Sequence, residues 1–282
     1  MPKRAVLGGV EVGDGVPVAV IGALNVSPES FYPGSVVQDR EQLLTTAQRM
    51  VEAGALIVDV GGMSTAPYLP TRISEAEEAD RLARAVGWLA AKLVVPVSAD
   101  TCRAGPARAA LEAGAAIIND VSGLTADAGM APLLARTGAG LIVMAKGRRP
   151  VDSGAEPADV ILGLLKESLR LARAAEIDDE RIMVDPGIGF FRASEWPWHE
   201  WDCRVLAHLG SLAELGRPVC VGVSRKSFIG AIAGPADPGE RLPGSLAATA
   251  IAVFNGAHVI RCHDVAETRQ AVRVAEAIRG QA

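Results

Sequence analysis

Cysteine is scarce in this 282-residue chain: there are four, and no two stand in a CxxC spacing. That reads as free thiols in a reducing compartment rather than a disulfide framework. Surplus positive charge is missing too. With 28 Lys and Arg against 33 Asp and Glu, the net charge is −5, which argues against a nucleic-acid backbone as the main partner. A local basic pocket for a small anion stays open. No apolar run approaches the roughly 20 residues that a membrane helix needs. The opening MPKRAVLGGVEVGDG has neither a long apolar core nor a cleavage pattern, so it does not read as a signal peptide. The chain therefore reads as soluble and cytoplasmic. No linker rich in Pro, Gly or Ser divides it, and a single domain over residues 1–282 is expected.

What the chain does have is a repeated alternation. Eight short apolar runs recur: 16–26, 55–62, 95–101, 116–123, 140–147, 181–189, 217–224 and 258–264. Between them lie Ala-, Leu-, Glu- and Arg-rich stretches of helical length, several closing on Gly just before the next run (Gly54, Gly114, Gly256). Near-continuous apolar strands alternating with helices indicate a parallel sheet covered by helices, and Gly supplies the left-handed turn that ends a helix. Eight such units predict a (β/α)8 TIM barrel, for which 49% hydrophobic content supplies the core. Residues 4–15 are expected as a short N-terminal β-hairpin or plug. A doubly wound open sheet is the competitor, disfavoured because no GxGxxG turn follows the first strand. Segments 146–158 and 189–203 look irregular and read as loops.

Packing does not require what happens at the ends of these runs. Asn25, Asp59, Asp100, Asn119, Asp185, Ser224, Arg261 and His263 all fall at or just past their C-terminal ends. Each alone is unremarkable, since Asp and Asn after a strand cap helices and start turns. Together they would converge on one face of the barrel, where active sites are built. Asp100, Asn119 and Asp185 offer acceptors, with donors from the amide, suited to a flat heterocycle rich in N–H and C=O groups. Buried carboxylates need partners, so a ligand or Lys226 would share their cost. Arg261 and His263, two residues apart on the last strand, together with Asn25 suggest an anion-plus-metal site. Arg forks onto phosphate, and an amide carbonyl is a hard ligand suited to Mg2+. In SRKSFIG (224–230) Lys226 comes directly off a strand end and would face the cavity.

These motifs resemble the dihydropteroate synthase family over nearly the whole chain: ALNVSPESF, VDVGGMSTAP, VSADT, INDVSG, DPGIGF, VGVSRKSFIG, ERLPGSLAATAIAVFNGA and IRCHD follow in family order. The resemblance implies a transferase that joins 6-hydroxymethyl-7,8-dihydropterin pyrophosphate to p-aminobenzoate and releases pyrophosphate. It implies that Asp100, Asn119, Asp185 and Lys226 hold the pterin. Asn25, Arg261 and His263 would bind pyrophosphate, with Asn25 on its Mg2+. Ser227, Thr65 and Phe190 would shape the aminobenzoate side, and Asp100, Lys226, Arg261 and His263 form the implied catalytic set. It further implies a homodimer through the later helices, although their small-residue composition equally suits packing on the barrel itself.

Departures from the family pattern fall on the arylamine side. Ala66 stands where an arginine is usual, Glu29 where an aspartate is, and VMAKG with Lys146 replaces a Met-His-Met-Gln-Gly-like run. A second substrate other than p-aminobenzoate, such as a ribosylated or phosphorylated aminobenzene of a modified-folate pathway, is one reading of them, and a non-catalytic pterin-binding paralogue is another. A pterin-dependent methyltransferase would need neither SRKSFIG nor the Arg-x-His pair. The segment ASEWPWHEW either covers the mouth or packs on the barrel exterior.

Overall fold

The computed structural model describes residues 3–27, 39–64, 73–146, 154–192, 196–234 and 236–281. Two short strands, β1 (Arg4–Leu7) and β2 (Val10–Gly13), pair antiparallel as the expected hairpin. All eight apolar runs then form strands: β3 (Ala19–Asn25), β4 (Ile57–Gly61), β5 (Val97–Asp100), β6 (Ile117–Asp120), β7 (Gly140–Met144), β8 (Ile182–Asp185), β9 (Cys220–Val221) and β10 (Val259–Cys262). They pair in parallel in the order β8-β7-β6-β5-β4-β3-β10-β9. A bridge between Val184 and Val219, with the Val184 amide donating to the Pro218 carbonyl at 3.0 Å, joins β8 to the approach of β9 and closes the ring.

Helices follow the strands: α1 (Arg40–Glu52), α2 (Glu75–Ala90), α3 (Ala104–Glu112), α4 (Met130–Thr137), α5 (Pro157–Ala174), α6 (Trp198–Ala207), α7 (Ser227–Ala233), α8 (Leu242–Phe254) and α9 (Val265–Arg279). Their starts are written locally. Asp39 accepts from the amides of Glu41 and Gln42, and Ser74 from that of Glu77, satisfying donors that a helix N-terminus leaves open. Gly54, Gly114 and Gly256 have φ of 104°, 108° and 106°, as expected of helix-ending turns. Two loop assignments are corrected. Segment 189–203 runs into α6 from Trp198 onward, and α5 already begins at Pro157. Polar residues and tryptophans masked the helical period of α6, whose buried face carries Trp201, Asp202, Val205 and Leu206.

Alternation along each strand divides the interior in two. Val58, Val60, Val97, Ala99, Ile118, Leu141, Val143, Val184 and Ile260 face the helices in one apolar cluster. Ala19, Ile21, Ile57, Ile117, Ile142, Met183, Cys220 and Val259 form another with Ala5, Leu7 and Val12 of the hairpin. The hairpin thus stoppers the N-terminal end of the barrel with side chains that would otherwise have no apolar partner there.

A latch holds the stopper. The Val219 amide donates to His258 Nδ1 at 3.1 Å, so the proton of the neutral ring sits on Nε2, 3.1 Å from Asp14 Oδ1. Asp14 also takes the Lys3 amide at 2.9 Å. Burial lowers the His258 pKa against the pull of Asp14. A folded-state pKa below the unfolded one means stability is complete above about 6.5 and drains as pH falls. His258→Phe is expected to cost about 1–2 kcal/mol at pH 7.5 by removing both hydrogen bonds. It should also flatten the fall in thermal midpoint between about pH 6.5 and 5, read by calorimetry in both proteins. An unchanged pH slope would show that the latch contributes nothing to it.

Candidate active site

At the C-terminal end of the barrel the inward positions turn from apolar to ionic. Strand register sets Asn25 beside Gly61, Gly61 beside Asp100 and Asp100 beside Asn119, so these four lie on one rung. Asp185 ends β8 opposite Met144 of β7. Gly61 leaves room here, since an added Cβ would crowd Asn25 Oδ1 at 3.2 Å. Two residues deeper on β4, fully buried Asp59 accepts from Asn119 Nδ2 at 3.1 Å and from Arg261 Nε at 2.6 Å. Arg261 reaches further, to Asp100 Oδ2 at 3.2 Å. The arginine predicted for an anion is therefore already tied into the carboxylate layer. Asp59 Oδ1 and Asp100 Oδ1 are buried with no hydrogen-bond partner among the described residues.

These carboxylates are held against their solution preference. Burial pushes Asp100 up to about 7 despite Arg261, with Asp59 adding to the rise. Asp185 is raised to about 6 by burial, opposed by the Gly187 amide that donates to its Oδ1 at 2.7 Å and by Lys226. Arg261 goes the other way: burial disfavours its charge, but Asp59 and Asp100 overcome that and raise its pKa.

Lys226 enters from the turn after β9. Its Nζ lies 4.5 Å from the Phe190 ring centroid, and Lys146 Nζ stands 5.9 Å from the same ring. Burial depresses Lys226 to about 8, with Asp185 pulling it back. Gly189, at φ 84°, lets the lysine stem pass, since a Cβ there would stand 3.0 Å from Lys226 Cδ. Arg225, beside it, serves the fold. With φ at 57° it grips Asp264 through two bonds of 2.9 and 2.7 Å and the carbonyls of Pro238 and Gly239 at 2.8 and 2.7 Å. This clamp joins the β9 turn to the end of β10.

His263 lies just past β10, its Nδ1 3.0 Å from Ser224 Oγ. Burial, with Arg261 and Arg225 nearby, lowers its pKa to about 3. It is a neutral imidazole at physiological pH, a hydrogen-bonding group rather than a cation. Ser227 begins α7, where its Oγ accepts from Arg192 Nη2. Thr65, like Ala66 and Glu29, lies outside the described residues. The four cysteines are free, and burial pushes Cys102, next to this layer in sequence, up to about 11, so no thiolate nucleophile stands there at neutral pH.

Sequence reasoning missed two residues. Asp202, inside α6, is buried, accepts the Gly189 amide at 2.8 Å and is raised by burial to about 6. A mid-helix acid normally reads as a solvated face, so only tertiary packing exposes its role. Arg192 is the second, its guanidinium carbon 4.0 Å from the Trp198 ring centroid. The tryptophan segment both packs and braces. Trp201 stacks on Phe191 at 5.2 Å. Trp196 lies under Arg204 at 4.0 Å and donates to the Ala155 carbonyl at 3.1 Å, tying the approach of α5 to that of α6.

Among the described residues no helix is long and apolar enough to cross a membrane. The model of the pterin binding enzyme family matches residues 21–263. The dihydropteroate synthase of Synechocystis is 36% identical over 264 residues, spanning 92% of this chain and 89% of that protein. Among solved structures, a dihydropteroate synthase from Coxiella burnetii in complex with pteroic acid superposes with a TM-score of 0.88 at 31% identity, covering 99% of this chain and 100% of that one. The Xanthomonas albilineans dihydropteroate synthase with 4-aminobenzoic acid gives 0.87 at 33% identity, with 99% of each covered. With its ionic layer at the barrel's C-terminal end and likeness along nearly its whole length, the chain belongs to the dihydropteroate synthase family of pterin-binding enzymes.

Proposed function

We propose that this chain, as one pterin-binding unit, condenses 6-hydroxymethyl-7,8-dihydropterin pyrophosphate with p-aminobenzoate, giving dihydropteroate and pyrophosphate for folate biosynthesis. The observation that carries the reading is the buried carboxylate layer, with Asp59 Oδ1 and Asp100 Oδ1 lacking partners among the described residues. Buried acceptors of this kind are costly until a ligand's N–H groups meet them, and a pterin edge presents such groups. In this reading Asp100, Asn119 and Asp185 take the edge of the ring. Lys226, beside Phe190, donates to its carbonyl side.

The reaction breaks the C–O bond between the pterin methylene and pyrophosphate, forms a C–N bond to the arylamine, and releases the amine proton. Positive charge develops on the methylene as negative charge develops on the leaving group. Fixed charges aimed at both are commonly the largest catalytic contribution. Arg261 and neutral His263 would hydrogen-bond the departing pyrophosphate, and the carboxylates would stabilise the methylene.

Asn25 offers one amide oxygen on the rim rung, and among the described residues no three His, Cys, Asp or Glu side chains gather as a metal cage. Such a donor set fits an Mg2+ that arrives largely coordinated by phosphate oxygens. The ion would neutralise charge on the pyrophosphate, with Asn25 completing its shell.

Purified protein should release pyrophosphate in proportion to p-aminobenzoate when given the pterin substrate. Pterin turnover with none of a panel of arylamines, ribosylated and phosphorylated ones included, would sink the reading.

We also propose a homodimer. Ile251 and Phe254 of α8, together with Val274 and Ile278 of α9, are 52%, 45%, 61% and 57% exposed. Large apolar side chains exposed on neighbouring helices support an association face. Sedimentation at micromolar concentration should give about twice the chain mass of 29.2 kDa, and a monomer at all concentrations would refute it.

A further inference from the structure

We propose that Asp202 is a positioning residue for Lys226: it grips the Gly189 turn against the lysine stem and supplies the negative charge behind its ammonium. The consequence for catalysis rests on the dihydropteroate-forming reading above; the pairing itself does not. Contact runs without a break between the two side chains. Asp202 Oδ1 accepts the Gly189 amide at 2.8 Å, and a Cβ on Gly189 would stand 3.0 Å from Lys226 Cδ and 3.5 Å from its Nζ. Trp201, the preceding residue of α6, stacks on Phe191. Adjacent residues of one helix thus hold the chain on both sides of Phe190, the ring that Lys226 faces at 4.5 Å.

Holding a backbone amide requires only an acceptor, which an asparagine offers without a charge to desolvate. Asp202 is 1% exposed, and its Oδ2 is buried with no hydrogen-bond partner among the described residues. A carboxylate so placed is costly unless a cation offsets it. The cations that favour its charged form are Lys226 first, then Arg192 and His199. In return Asp185 and Asp202 favour the charged form of Lys226, against burial and the repulsion of Arg261 and Arg192. The ammonium also faces Asp100, neutral His263, and Lys146 across the Phe190 ring. In the reading above Asp185 and Asp100 are taken up by the pterin. Asp202, behind Gly189, is the counter-charge that the substrate leaves alone.

Competitive acetylation of the whole protein across pH, read by peptide mass spectrometry, titrates half-buried Lys226 with no substrate present. Asp202→Asn keeps the acceptor for Gly189 and removes only the charge. It should lower the Lys226 midpoint by about one pH unit. The alkaline limb of kcat/KM for pyrophosphate release should move by the same amount while the acid limb stays. That is a loss of about fivefold at pH 8 and under about twofold at pH 6.5. An even loss across pH, the mark of a purely structural role, or an unmoved midpoint would overturn the pairing. Should Asp202→Asn fail to fold, carbon-13 titration of the Asp202 carboxyl in Lys226→Met reads the same coupling from the other side. The carboxyl midpoint should rise there, and an unchanged one overturns the proposal. A shifted Lys226 midpoint in Asp202→Asn, with no arylamine-dependent pyrophosphate release from the wild type, would bear out the pairing and defeat only the parent reading.

Discussion

Replacing Lys226 with methionine is expected to lower kcat/KM for pyrophosphate release roughly a hundred- to a thousandfold, equivalent to about 3–4 kcal/mol, while leaving the fold intact. The side chain is not needed to hold the barrel together: its stem threads past Gly189 and its ammonium faces Phe190 and the carboxylates. Truncating one member of a buried, hydrogen-bonded charged contact costs about 2–5 kcal/mol in comparable systems. The pH profile gives the sharper signature. Lys226, depressed to about 8, loses its charge as pH rises through that value. Asp185 and Asp100, raised to about 6 and about 7, lose theirs as pH falls through those values. The wild-type kcat/KM should therefore be bell-shaped, with an acid limb between about 6 and 7 and an alkaline limb near 8. Lys226→Met should keep the first limb and lose the second. Persistence of the alkaline limb in the variant would assign it to another group.

The second expectation concerns stability as much as activity. Arg261→Met removes the cation that meets Asp59 at 2.6 Å and Asp100 at 3.2 Å, with Asp59 fully buried. Breaking a buried pair on one side leaves an uncompensated charge and costs about 3–5 kcal/mol. At roughly 2–4 °C per kcal/mol for a domain of this size, the thermal midpoint should fall by about 6–20 °C. Without the cation Asp100, already raised by burial, has its folded-state pKa pushed further above the unfolded one. Its contribution is then complete at low pH and lost as pH rises, so the variant should be relatively less handicapped at pH 5 than at pH 8. Adding Asp59→Asn should recover part of the stability but none of the activity, a coupling that a double-mutant cycle measures. A loss below about 1 kcal/mol in the single variant, on the scale of an exposed pair, would mean that Arg261 is solvated rather than integral to the layer.

Much of this architecture can be read from the chain because it obeys a period. Each buried strand is a near-continuous apolar run, each helix is separated by a turn signal, and eight repeats match barrel closure. The ionic layer is legible for the same reason: Asp100 and Asp185 end their strands and Asn119 stands one residue before the end of its own, where the apolar period stops. What resists reading is whatever depends on distant segments meeting. Asp202 looks like any helical acid until Gly189 donates to it. Arg225 and Lys226 are adjacent and both basic, yet one clamps Asp264 while the other faces Phe190. The left-handed turn at Arg225 sets them apart, and no local composition announces it. Arg261 belongs to the predicted constellation, but its pairing with Asp59 spans 202 positions and follows only from the closed ring.

The stoppered floor has a kinetic corollary. A tube blind at one end has one doorway for everything that comes and goes. Whatever meets the carboxylates of Asp59 and Asp100 must be admitted before, and dismissed after, anything lodged beside Phe190 and Ser227. Queueing is thereby imposed by the hairpin at the far end, twelve or so ångströms' worth of apolar packing by the usual strand rise.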